Sequence, residues 1–153
     1  MDKRAFTWKA MSRRVEECLS HCSVVVIDDE VKHRDHLEYV LSPRYKVTCF
    51  SSGLEALGSI QKGEFDLVML DIKMPVMDGY EVIQMMQERH LIENTSVVFG
   101  AGKTRFNQIV KGLDKGAVDY LQKPYVAGIV LARVTKQLQR KIELQYAKEA
   151  IAS

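Results

Sequence analysis

The 153-residue chain contains no apolar run approaching the ~20 residues that a membrane-spanning helix requires. Cysteine is scarce and odd in number (Cys18, Cys22 and Cys49), which suits a reducing compartment better than a disulfide framework. The first twenty residues carry charges where a secretion signal needs an apolar stretch. These absences point to a cytoplasmic protein without a membrane partner. An excess of one charge is also missing: 22 Lys and Arg stand against 20 Asp and Glu, a net of +2. Residues 1–20 contribute 5 − 3 = +2, residues 126–153 contribute 5 − 2 = +3, and the middle contributes 12 − 15 = −3. Basic ends around an acidic middle do not make the single basic face that direct nucleic-acid binding needs. There is no internal repeat and no low-complexity tract. What is present is ordinary globular composition, 46% hydrophobic and 27% charged, in a length suited to one domain.

Short apolar runs alternate with helical patterns. SVVVID (23–28), YKVTCF (45–50), FDLVML (65–70), SVVFG (96–100) and AVDYL (117–121) have strand length and β-branched or alternating character. Residues 31–41, 53–61, 79–90 and 104–115 carry helical spacing, with Ser51 or Ser52 as a cap and Phe106, Ile109, Val110 and Leu113 on one face. No Pro follows Pro124 and no Gly follows Gly128, so one long helix is predicted over about 126–150. Leu131, Val134, Leu138 and Ile142 form its apolar stripe. Residues 1–22 read as a further helix outside the alternation. Five strands alternating with five helices imply an α/β fold, a doubly wound five-stranded parallel sheet with right-handed crossovers.

Ligands of such sheets bind beyond the carboxyl ends of the strands. Asp28, Asp29 and Asp71 stand at two of those ends, and three gathered carboxylates repel unless something neutralises them. A hard divalent cation such as Mg²⁺ does so with carboxylates, water and a phosphate oxygen. Lys123, after the fifth strand, offers a mobile point charge to the same phosphate.

VVVIDDE, LVMLDIKMPVMDG and DYLQKPY together resemble the response-regulator receiver domain of two-component signalling, over about residues 23–138. The resemblance implies a flavodoxin-like (βα)5 fold and phosphoryl transfer from a phosphohistidine to an aspartate. Asp71 matches the acceptor. Asp28, Asp29, Asp71 and the backbone carbonyl of Lys73 match the Mg²⁺ ligands. Lys123 matches the lysine that pairs with the phosphoryl group, and Lys123–Pro124 a bond that is usually cis. Tyr120 matches the aromatic that turns inward on activation. The implied partners are a sensor histidine kinase or a histidine phosphotransfer protein, and an output domain or separate partner reached through the long final helix. Residues 1–22 are then an N-terminal extension and 139–153 a connector or tail. Such a domain is a signalling module that catalyses only its own phosphorylation and dephosphorylation. Asp114, Asp119 and Arg133 match charges that some receivers use to form homodimers through the fourth helix, fifth strand and fifth helix of the alternation.

One position departs from the pattern. Counting 30 residues on from Asp71, or 22 back from Lys123, reaches Ala101, where receivers usually carry Ser or Thr. Gly100 and Gly102 have no hydroxyl either, and the nearest is Thr104. The alternatives are a phosphorylated receiver with an atypical output or phosphate-sink role, one in which Thr104 or a backbone N–H substitutes for the hydroxyl after a loop shift, or a pseudo-receiver that acts by binding alone. GAGKT (100–104) lacks the first glycine of a phosphate-binding loop, which Val97 replaces. Cys18, His21 and Cys22 fit no zinc spacing and read as core or surface residues. Met69, Met74, Met77, Met85 and Met86 read as packing residues.

Overall fold

The computed structural model describes residues 3–61, 63–102 and 106–152. Helix α1 (Lys3–Ser20) precedes β1 (Ser23–Ile27), α2 (Val31–Leu41), β2 (Lys46–Phe50), α3 (Gly53–Ser59), β3 (Leu67–Asp71) and α4 (Gly79–Glu88). Then follow β4 (Ser96–Ala101), α5 (Phe106–Asp114), β5 (Asp119–Gln122) and α6 (Ala127–Ala152). The five strands form one parallel sheet in the order β2-β1-β3-β4-β5. The order reverses at β1, so a crevice opens between the carboxyl ends of β1 and β3. The α/β doubly wound reading therefore holds, and element ends fall within two residues of the predicted ones.

Strand alternation sorts the core into two layers. Val25, Ile27, Val68, Leu70, Val97, Phe99 and Ala101 face α3 and α4, packing on Ala56, Leu57, Val82, Ile83 and Met86. Val24, Val26, Leu67, Met69, Val98 and Leu121 face α2 and α6, packing on Leu37, Leu41, Val130, Val134, Leu138 and Ile142. Two helix starts are fixed by side chains. Ser52 Oγ accepts from Glu55 N at 3.1 Å, and Asp78 Oδ1 accepts from Glu81 N at 2.9 Å. The buried row of α6 is Val130, Val134, Leu138 and Ile142, an i, i+4 series, so Val130 takes the place predicted for Leu131, which is only half-buried. Helix α5 also differs. Phe106, Val110 and Leu113 are exposed, and α5 approaches the sheet through Gly112, where a Cβ would meet the Phe99 ring at 2.8 Å.

Helix α1 lies against α6 and adds Val15 to the α2/α6 layer. Cys18 Sγ is 3.2 Å from Tyr146 Oη, and Cys22 Sγ donates to the Cys18 carbonyl at 3.3 Å. At the amino edge of the sheet Asp66 accepts from Ser23 N and from Lys141 Nζ, both at 2.8 Å, which ties α6 to β1. Among the described residues no helix is long and apolar enough to cross a membrane.

Leu138 is fully buried and Leu144, on the same helix, is 62% exposed. Leu138→Ala is expected to lower unfolding stability by about 2–5 kcal/mol. Leu144→Ala should stay within about 0.5 kcal/mol. Urea unfolding of both variants checks the assignment of the buried stripe.

Candidate functional site

Parity builds the site. The alternation that points Val26, Met69 and Leu121 toward α2 and α6 carries Asp28, Asp71 and Lys123, each two residues further on, to the same face. All three therefore converge in the crevice at the β1–β3 reversal. Lys123 Nζ lies 2.9 Å from Asp71 Oδ1 and 3.1 Å from Asp28 Oδ2. Asp28 and Asp71 are buried, while Asp29 is exposed at the rim.

The backbone around Asp71 is closely packed. Gly79 N donates to the Ile72 carbonyl, and a Cβ on Gly79 would sit 2.5 Å from the Asp71 carbonyl oxygen. The loop can turn back on the strand end only because residue 79 has no side chain. Within it Val76 adopts φ 69°, with Met77 N donating to the Pro75 carbonyl. On the other flank, Ile72 N donates to the Gly100 carbonyl and Lys123 N to the Ala101 carbonyl. The Lys123–Pro124 bond is cis.

The electrostatics follow from one cation among three carboxylates. Burial pushes the Asp71 carboxyl up to about 6, the Lys123 hydrogen bond opposes it, and the charges of Asp28 and Asp29 add to it. Lys123 loses hydration on burial, but its hydrogen bond to Asp71 and the negative charges of Asp71 and Asp28 outweigh that and raise its pKa. Asp28 Oδ1 accepts from Glu30 N at 3.0 Å, and Arg34 Nη1 donates to the Asp28 carbonyl at 2.7 Å. Asp28 Oδ2 is near the ammonium but not aligned with it, and is a buried oxygen without a hydrogen-bond partner among the described residues.

Carboxylate oxygens of Asp28, Asp29 and Asp71 all lie within 4.8 Å of one another. Hard oxygen donors, surplus negative charge and an unpartnered buried oxygen fit a cation of the Mg²⁺ type. Among the described residues, this is the set of acidic, His or Cys side chains that converges so closely; Cys18, His21 and Cys22 do not. Lys73 follows Ile72 in the loop above Asp71, with its carbonyl in no hydrogen bond among the described residues.

The remaining predicted residues are dispersed as follows. Ala101 is 3% exposed and packs into the α3/α4 layer, so its methyl faces away from the side on which Asp71 projects. Thr104 lies outside the described residues. Tyr120 is half-buried against the same layer, and its carbonyl accepts from Arg133 Nη1 at 3.0 Å. Arg133 also pairs with Asp119 at 3.6 Å within the chain, and Asp114 is exposed. Two neighbours, His33 and Tyr125, escaped the sequence reading, and Gly100 figures there only as lacking a hydroxyl. His33 Nδ1 lies 3.2 Å from Asp28 Oδ2, the Tyr125 ring meets His33 edge-on at 5.8 Å, and Gly100 faces Tyr125.

The raised Asp71 pKa has a stability consequence. The folded protein binds this proton more tightly than the unfolded chain, so ionising Asp71 costs stability as pH rises from about 4 to 6. Asp71→Asn removes that cost. Relative to the wild type, the variant should gain stability across this window, reaching on the order of 2 kcal/mol by pH 7. Urea unfolding at pH 4, 5, 6 and 7 measures it, and a pH-independent difference would contradict it.

A family model described as the response regulator receiver domain matches residues 24–135. The transcriptional regulatory protein PcoR of Escherichia coli is 34% identical over 118 residues, covering 76% of this chain and 51% of that protein. A probable cyclic di-GMP phosphodiesterase of Vibrio cholerae is 34% identical over 136 residues, covering 89% of this chain and 31% of that protein. The chain thus spans about half or less of these relatives' length. Among solved structures, the Vibrio cholerae chemotaxis protein CheY4 superposes with a TM-score of 0.70 at 26% identity, covering 77% of this chain and 98% of that one. The sheet order, the acidic crevice and the matched span agree: the chain belongs to the response regulator receiver domains of two-component systems.

Proposed function

We propose that this receiver accepts a phosphoryl group from a phosphohistidine onto Asp71, and that a sensor histidine kinase or a histidine phosphotransfer protein is the donor. The observation that carries this reading is Lys123 Nζ at 2.9 Å from Asp71 Oδ1 beside two further carboxylates. An Asp71 oxygen forms the new bond to phosphorus as the phosphorus–nitrogen bond breaks, and the electron pair stays on the departing imidazole. Two anions must meet for this, and Lys123 offsets their repulsion while orienting the carboxylate. Mg²⁺ bound by Asp28, Asp29, Asp71 and the Lys73 carbonyl would supply further charge neutralisation and in-line alignment. Arg34 and the Glu30 amide hold Asp28 in place for that set.

Residues 23–138 are proposed as the receiver proper, 1–22 as an extension and 139–153 as a connector toward an output domain or partner. The exposed Phe106, Leu113, Val118 and Ile129, with the Asp119–Arg133 pair among them, support a homodimer face formed by α5, β5 and α6. A second reading, a pseudo-receiver acting by binding alone, is favoured only by Ala101, whose methyl cannot donate a hydrogen bond.

Phosphorylation should be read with a radiolabelled phosphohistidine donor and Mg²⁺. The wild type should acquire acid-stable, hydroxylamine-labile label. Asp71→Asn, or chelation with EDTA, should reduce it at least about 100-fold, because an amide is a poor nucleophile and the charge repulsion goes unscreened. An unlabelled wild type would favour the pseudo-receiver, and a labelled Asp71→Asn would show that another residue is the acceptor.

A further inference from the structure

Gly100 is the register partner of Asp71 across β3 and β4. Strand alternation turns its missing side chain toward α2 and α6, the side on which Asp71 projects. Tyr125 fills that space. A Cβ on residue 100 would overlap the Tyr125 hydroxyl and come within 2.9 Å of its Cζ. The hydroxyl thus enters the sheet at the level of the β4 backbone. Paired strands are about 4.8 Å apart, which puts it roughly one strand-spacing from the base of the Asp71 side chain.

The surroundings hold the ring in place. Tyr125 is 9% exposed, its carbonyl lies 3.2 Å from His36 Nε2, His33 meets its ring edge-on, and Lys123 Nζ stands 5.8 Å from its centroid. Among the described residues, its hydroxyl has no hydrogen-bond partner. Burial, and then the charges of Asp28 and Asp71, push the phenol well above the ordinary tyrosine range, so it remains an O–H donor. A phenol O–H held in a largely buried ring beside a group that gains negative charge is a ready donor to it.

We propose that Tyr125, admitted by Gly100, is a positioning residue for the phosphorylated state: its hydroxyl donates a hydrogen bond to the Asp71 side chain when that carries a phosphoryl group. The inference rests on the reading of Asp71 as acceptor. It supplies from the α2/α6 side the donor that Ala101 lacks on the other. Gly100 and Tyr125 then act as a pair, since any side chain at 100 displaces the hydroxyl.

The test uses beryllofluoride with Mg²⁺ as the phosphoryl mimic, with fluorine NMR reporting affinity. Tyr125→Phe removes one oxygen and should weaken binding about tenfold. Gly100→Ala should weaken it similarly by expelling the hydroxyl. In the wild type, the ¹³Cζ signal of Tyr125 should shift on adding beryllofluoride. That signal decides the matter if a variant fails to fold. A Tyr125→Phe protein that binds within twofold of the wild type, or a Tyr125 signal that does not move, overturns the inference and leaves Asp71 untouched. A wild type that neither binds beryllofluoride nor takes label from acetyl phosphate overturns the Asp71 reading, and this inference with it.

Discussion

Asp28 and Asp71 reach for the same ammonium group from adjacent strands, and Asp29 stands beside them. One lysine cannot neutralise three carboxylates, and the surplus negative charge is held where water is scarce. The sheet maintains this arrangement against its own repulsion. Three short strands, β1, β3 and β5, place the groups, the two apolar layers fix the strands, and Gly79 and Gly100 let the backbone and the Tyr125 ring close around the result. A site kept short of positive charge is ready for a cation, and one kept dry strengthens each electrostatic contact made within it.

The acidic crevice was legible because it depends on local pattern. Apolar runs ending in acid mark strand ends, and an even offset from the last core residue sets the face. Asp28, Asp71 and Lys123 obey both rules, so their convergence follows once the strands are known. The order of elements was legible for the same reason, since each apolar run has its own length and period.

What stayed hidden depends on contacts between distant parts of the chain. The stripe of Phe106, Val110 and Leu113 has helical period, but period does not say whether a face meets core or solvent, and here Gly112 makes the contact instead. Val130 replaces Leu131 because the buried row of α6 keeps an i, i+4 step through Val134, Leu138 and Ile142. The docking of α1 on α6 leaves no mark in either segment alone. Gly100 and Tyr125 lie 25 residues apart and look unremarkable separately; only the fold shows one filling the space the other leaves.

Helix α6 begins four residues after Lys123 and runs unbroken for 26 residues, about 39 Å. Neither glycine nor proline interrupts it beyond Gly128, so it bends little and works as a lever rather than a hinge. Its fulcrum is the Lys141–Asp66 pair at the far edge of the sheet. A small tilt at the end near the acidic crevice would reappear beyond that fulcrum as a lateral sweep of the opposite sense. Because α1 is strapped to the far arm through Cys18 and Tyr146, the two helices would swing as one body.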